Sequence, residues 1–283
     1  MGQICAMKHD TFEKYTQSDL QLPQQALLTA WDCLAAYQDD LVLVGGLAIK
    51  ALTHPPAGAM PGPVTLDVDF GIKIAASNGM YGSIRETLGG HGFEWDAEQK
   101  RFVREFETLN LYIDLLTDDG KGSMGTAIVD DSLPVATVPG IERALAKNRI
   151  VKISGRTLIG TESRQSICVA EVGPMLVLKL NAFGGPNGRK APKDAHDILY
   201  LAMNYLDGTD QAISAFQDEK AAGNQAIPHA IYALSNYYSK PDSLGPMACA
   251  AFRMNNQHLD PGLEEESMQI RQQCVTLAQE LLS

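Results

Sequence analysis

Long apolar runs, paired cysteines and an excess of positive charge are all missing from this 283-residue chain. No stretch approaches the roughly 20 consecutive apolar residues that a membrane-spanning helix needs, so no membrane span is expected. The opening residues, MGQICAMKHDTFEKYTQ, are too polar and too acidic for a secretion signal. Gly2 invites N-myristoylation, but Ala6 stands where that motif wants Ser or Thr. A cytoplasmic protein is therefore expected. The five cysteines, Cys5, Cys33, Cys168, Cys249 and Cys274, contain no CxxC pair. Such an odd, dispersed set argues against a disulfide framework and a structural zinc site, and implies reduced, mostly buried thiols. No two histidines have HExxH spacing, and neither a GxSxG elbow nor a P-loop occurs. GGPNGRK has the glycines of a phosphate loop without its strand-to-helix GK[ST] setting, and reads as a plain loop. His54 and His91 adjoin chain breakers and read as loop residues. Lys and Arg together number 23 against 34 Asp and Glu, a net charge of −11. That disfavours a broad nucleic-acid-binding surface while leaving room for a local basic patch.

What is present is globular. The hydrophobic fraction is 45% and the charged fraction 20%, enough for one large domain or two ordinary ones. The apolar spacing predicts a helix over about Leu22 to Gln38, a buried strand at Leu41–Val44 ended by Gly45-Gly46, and a helix start at LAIKAL. THPPAGAMPGP closes that helix. VTLDVDFGI, from Val64 to Ile72, predicts a strand, and GSIRETLGGHG a helix. RFVREFE and LNLYIDLLT read as strands, with another pair around RIVKISGRTLIG. Near Cys168 the texture changes: VGPMLVLKLNAF predicts a buried helix with Pro174 in its first turn, where proline is tolerated. GGPNGRKAP separates it from a second helix, KDAHDILYLAMNYL, and the remainder reads as helical through SMQIRQQCVTLAQELL.

Within VTLDVDFGI, alternation puts Thr65, Asp67 and Asp69 on one face and Leu66, Val68 and Phe70 on the other. Two carboxylates about 7 Å apart on one face repel, and burying them unpaired costs several kcal/mol. Either that face meets solvent or something positive covers it. In LYIDLL, Tyr112 and Asp114 share a face opposite Leu111, Ile113 and Leu115. If these strands are neighbours, three carboxylates converge. Mg²⁺ takes oxygen ligands of this kind together with substrate phosphates, and a Gly-Gly turn lets backbone amides approach a phosphate closely. Taken singly, Gly-Gly is a tight turn and Asp-x-Asp a solvated sheet face; the ordered combination is more specific.

LVLVGGLAIKALTH, TLDVDFGI and LYIDLL, in that order, resemble the nucleotidyltransferase superfamily that includes DNA polymerase beta. The gap from Gly46 to Asp67 is longer than in compact members, and the extra residues fall in the Pro/Gly-rich segment, where they cost little. LVLKLNAFGGPNGRKAPKDAHDILYL is similar to the AbiEii-type branch, the toxin-like nucleotidyltransferases of type IV toxin–antitoxin systems. The matching residues are Lys179, Arg189 or Lys190, and Lys193-Asp194-x-x-Asp197. The resemblance spans about residues 41–200, and the tail from about 205 lies outside it. It implies an α+β protein: a mixed-sheet nucleotidyltransferase domain over 1–165, then an all-helical domain over 166–283.

By that resemblance Asp67 and Asp69 hold Mg²⁺ or Mn²⁺, and Asp114 holds the catalytic metal or takes the acceptor's proton. Gly45, Gly46 and Thr65 contact the NTP, and Lys179 meets its outer phosphates as a point charge. Arg189, Lys190 and Lys193 form the local basic patch. Asp194 either caps its helix or joins the site, and Asp197, one turn on, orients Lys179 or Arg189. The implied acceptor is RNA, such as a tRNA end, with growth inhibition opposed by a separately encoded antitoxin. Two alternatives stand beside this: transfer to a small-molecule or protein hydroxyl, and a nucleotide-binding module without turnover.

Overall fold

The computed structural model describes residues 21–57, 62–63, 65–73, 83–106, 109–129, 133–254 and 261–283. The readings of Gly2, Cys5, Ala6, Val64 and part of the Pro/Gly-rich segment lie outside them. The first helix, α1 (Gln21–Cys33), is shorter than the pattern predicted. The chain tightens into a 3₁₀ turn over Ala35–Asp40, where Tyr37 N–H bonds the Leu34 carbonyl. That winding buries Tyr37 and delivers the chain to β1 (Leu41–Val44). All four β1 residues are buried, because the strand is covered on both faces.

Gly45-Gly46 does not merely end β1; it opens α2 (Gly45–Leu52) directly. Next come β2 (Asp67–Ile72) and α3 (Ile84–Gly89), whose N-cap Ser83 accepts the Glu86 amide at 3.0 Å. Then follow β3 (Glu94–Asp96), β4 (Arg101–Phe106), β5 (Leu109–Thr117), β6 (Gly125–Val129) and β7 (Leu133–Thr137). A short α4 (Ile141–Ala146) leads into the hairpin β8 (Asn148–Arg156) and β9 (Glu162–Ala170). The polar–apolar alternation of ESRQSICVA carries β9 through residue 165, so the strands end at Ala170. The remaining helices are α5 (Val172–Gly184), α6 (Pro192–Met203), α7 (Thr209–Ala221), α8 (Ile227–Tyr237), α9 (Leu244–Arg253) and α10 (Pro261–Leu282).

The architecture is α+β with one mixed sheet. Its main strand order is β3-β4-β5-β2-β1-β9-β8, with β7 beside the end of β5 and β6 outside β7. β2 runs antiparallel to β1 but parallel to β5, and β9 runs parallel to β1. One face is apolar: Val68, Phe70, Ile113 and Leu115 are buried there, and Trp31 of α1 lies 5.9 Å from the Phe70 ring. The same hydrophobic core continues through Val172 and Leu176 of α5 into Leu199 and Leu234 of the helical part. Of the cysteines described, Cys249 and Cys274 are buried, Cys33 and Cys168 partly so, and all four are free thiols. Among the described residues no helix is long and apolar enough to cross a membrane.

Candidate functional site

Two strand pairings bring the acidic residues together. Asp69 sits level with Asp114, and Asp67 with Tyr112, across the parallel β2–β5 ladder. On its other side Asp69 is level with Val44, the last residue of β1, so the start of α2 lies against it. Gly45 takes φ +74°, and a Cβ there would overlap Asp69 Oδ2. At Gly46 a Cβ would stand 2.9 Å from Thr65 Cγ2. The paired glycines thus answer a close approach of backbone to the carboxylate face. Thr65 Oγ1 accepts the Asp67 amide at 3.1 Å, which steadies the start of β2.

A cation does cover this face, and it belongs to the protein. Arg101, the first residue of β4, donates from Nε to Asp114 Oδ1 at 2.8 Å and from a terminal nitrogen to Asp114 Oδ2 at 2.7 Å. The same terminal nitrogen lies 3.3 Å from Asp67 Oδ1. The guanidinium also stacks 4.1 Å from the centre of the Tyr112 ring. Burial alone would lower the Arg101 pKa, but Asp114 and Asp67 outweigh it and hold the group charged.

The opposite wall comes from α5, α6 and the loop between them. Lys179, buried on α5, donates to Asp197 Oδ2 at 2.6 Å and lies 3.8 Å from Asp194 Oδ1. Burial pushes its pKa down, and the two carboxylates more than reverse that. Arg189 grips Asp194 through two bonds, 2.5 and 2.8 Å. Burial raises the Asp194 pKa, while Arg189 and Lys179 together bring it below the usual carboxylate value. Asp194 lies in the first turn of α6, where its charge suits the helix dipole, and it holds Arg189 as well. Asp197 orients Lys179, resolving the two partners its position allowed. Lys193 is half-buried, and burial lowers its pKa.

Between these walls lies a cleft of about 1000 Å³. Gly45, Gly46, Thr65, Asp67, Asp69, Asp114, Lys179, Arg189, Lys193 and Asp194 all line it. Asp197 stands behind Lys179, outside the lining. The expected basic patch does not hold together: Lys190, with φ +53°, turns its ammonium to the Tyr237 ring, 5.3 Å from its centre. Sequence reading also missed Arg101 and an apolar wall that includes Leu116, Val138, Ile141 and Met175. The signal for Arg101 was the alternation of RFVREFE; only its pairing with β5 shows which face the arginine takes.

Carboxylates such as these three on one sheet face are the donor type of a hard divalent cation such as Mg²⁺ or Mn²⁺. By donor type the residues fit such an ion. By placement, Arg101 already bridges Asp67 and Asp114. Among the described residues no three His, Cys, Asp or Glu side chains are gathered closely enough to hold a metal. No protein-family model matches the chain, and no curated protein is significantly similar to it.

Proposed function

We propose that the protein is a metal-dependent nucleotidyltransferase that moves a nucleotide from an NTP to an acceptor hydroxyl, with RNA as the first acceptor to test. One observation carries this reading. A Gly-Gly turn, three aspartates from two parallel strands and a lysine–arginine wall from separate helices line a single cleft. The α5–α6 wall holds three cations, Lys179, Arg189 and Lys193, against two carboxylates, Asp194 and Asp197. That leaves one positive charge for the outer phosphates of a triphosphate. The backbone at Gly45 and Gly46 approaches the phosphates from β1. Bound Mg²⁺ or Mn²⁺ would supply charge neutralisation for the attacking and leaving oxygens.

In the reaction, the acceptor oxygen forms a bond to the α-phosphorus, and the bond from that phosphorus to the bridging oxygen breaks. Pyrophosphate leaves, its charge met by Lys179. The proton of the acceptor hydroxyl passes to a carboxylate of the site, with Asp114 the candidate base. Where the acceptor is RNA, the reading extends to a growth-inhibiting toxin held in check by a separately encoded antitoxin. That extension rests on the AbiEii-type resemblance alone.

The apolar wall of the cleft and the net charge of −11 favour a second reading, transfer to a small-molecule hydroxyl. Incubation with each α-labelled NTP, Mg²⁺ or Mn²⁺, and either total RNA or a lysate separates the two, with Asp69→Asn alongside. Label on RNA that disappears in the variant supports the first reading, and label on a metabolite or protein the second. NTP binding without transfer under any condition would favour a nucleotide-binding module without turnover.

A further inference from the structure

Lys190 leaves the cleft wall for a face of α8 that the proposed reaction does not use. Its chain neighbours Arg189 and Ala191 line the cleft, while its own ammonium lies 5.3 Å from the centre of the Tyr237 ring. Tyr237 is held edge-on by Phe183 of α5, and the Tyr232 ring stands beside it, centres 6.2 Å apart. Tyr232 is 51% exposed, a large ring outside the core. His229, one turn earlier on the same helix face, lines the cleft, so this face of α8 runs outward from the cleft to the tyrosines. Charge sets the strip apart from the rest of the molecule. Residues 184–192 and 227–240 carry Arg189, Lys190 and Lys240 without a single Asp or Glu, in a chain of net charge −11. Asp194 answers Arg189, so Lys190 and Lys240 set the sign of the strip. Exposed rings interleaved with cations suit a single nucleic-acid strand, whose bases stack on the rings while its phosphates meet the cations. A duplex hides its base faces, so only unpaired nucleotides can use the rings.

We propose that Tyr232, Tyr237 and Lys190 form a docking strip for single-stranded RNA, leading the unpaired end of the acceptor past His229 into the cleft. This rests on the nucleotidyltransferase reading and deepens it, since it names the acceptor as an unpaired RNA end. A base stacks on the open face of Tyr232, and Tyr237, fixed by Phe183, keeps that ring in place. Lys190, held over the Tyr237 ring, offers its ammonium to the phosphate beside the stacked base. An acidic molecule with one acid-free strip repels RNA elsewhere and so directs the strand to the cleft.

The test is fluorescence anisotropy at low salt with a labelled single-stranded RNA of mixed sequence, about ten nucleotides long, and a blunt duplex of the same sequence for comparison. Full-length wild type, Tyr232→Ala, Tyr232→Phe and Lys190→Gln are compared, and binding of a fluorescent non-hydrolysable NTP analogue is measured separately. The strip predicts that the single strand binds more tightly than the duplex, and that Tyr232→Ala weakens it about fivefold or more. Tyr232→Phe keeps the ring and should bind RNA as wild type does. Lys190→Gln should lower the slope of log affinity against log salt by about one. Both Tyr232 variants should bind the NTP analogue unchanged. RNA that fails to bind wild type, or binds equally well after Tyr232→Ala and Lys190→Gln, overturns the strip, and intact NTP binding then leaves the transferase reading standing. Absence of NTP binding in wild type overturns that reading, and with it the strip's role as an acceptor site.

Discussion

Two constraints meet at Gly45. Its φ of +74° lies in the left-handed region, which costs an L-residue roughly 1–2 kcal/mol. A Cβ would also collide with Asp69 Oδ2. Gly45→Ala should therefore lose about 1–2 kcal/mol of stability by urea unfolding. Labelled transfer should fall at least tenfold, more than lost stability explains, because the side chain would push Asp69 out of line. Lys179 is a different case. Asp197 is fully buried, and its Oδ1 has no hydrogen-bond partner among the described residues, so the lysine is its main support there. Lys179→Met should cost about 3–5 kcal/mol, the usual penalty for orphaning a buried charge. Adding Asp197→Leu should restore most of that stability without restoring transfer. Recovery of both would show that Lys179 serves the fold alone.

The pH response belongs to the same residues. Asp194 has a depressed folded pKa, so its contribution is present above the unfolded carboxylate value near 4 and is lost as pH falls through the folded one. Lys179 has a raised folded pKa, so its contribution is present below the unfolded lysine value near 10.4 and is lost as pH rises through the folded one. Stability from this pair should thus plateau across neutral pH. In Asp194→Asn the difference in urea midpoint between pH 7 and pH 3 should shrink. An unchanged acid limb would mean that Asp194 is not held ionised by Arg189 and Lys179.

At the scale of elements, ion pairs fasten the sheet region to the helices. Arg143 of α4 donates to Glu219 of α7 at 2.9 and 3.0 Å, and Glu219 is 1% exposed. Asn224 donates to the same carboxylate at 2.8 Å. Arg143→Ala leaves that carboxylate buried without its cation, so a loss of about 3–5 kcal/mol is expected in urea unfolding. A change under 1 kcal/mol would show that Asn224 and solvent suffice. Long elements were legible in the sequence because periodicity accumulates over them, as in α5 and β5. The short β3, β6 and β7 and the six-residue α4 carry too few repeats to register. Asp67, Asp69, Asp114 and Lys179 could be picked out as residues too polar for their surroundings. Arg101 could not, because a charged residue at a strand end looks ordinary until register fixes its neighbour. Lys190 failed for a related reason: adjacency in GRK says nothing about direction once φ turns positive.

For the whole molecule, the cleft is walled on one side by the sheet and on the other by α5 and α6, so a ligand seated there engages both parts at once. A ligand that binds only the folded state stabilises it by about 2.7 kcal/mol at a hundredfold excess over its dissociation constant. At about 2 °C per kcal/mol for a chain of this size, that is a rise of about 5 °C in melting temperature. The proposed site makes a particular pattern of such rises. An NTP or a divalent cation alone should give small shifts, since Arg101 already engages Asp67 and Asp114 and the basic wall leaves only one positive charge for the phosphates. Together they should give a shift larger than the sum, and Asp69→Asn should abolish the excess while retaining part of the NTP shift through Lys179. A full shift with NTP alone, unaffected by Mg²⁺, Mn²⁺ or Asp69→Asn, would place the nucleotide on the basic wall without the carboxylates. The protein would then be a nucleotide-binding module and not a transferase. No shift with any NTP would remove the nucleotide from the account altogether.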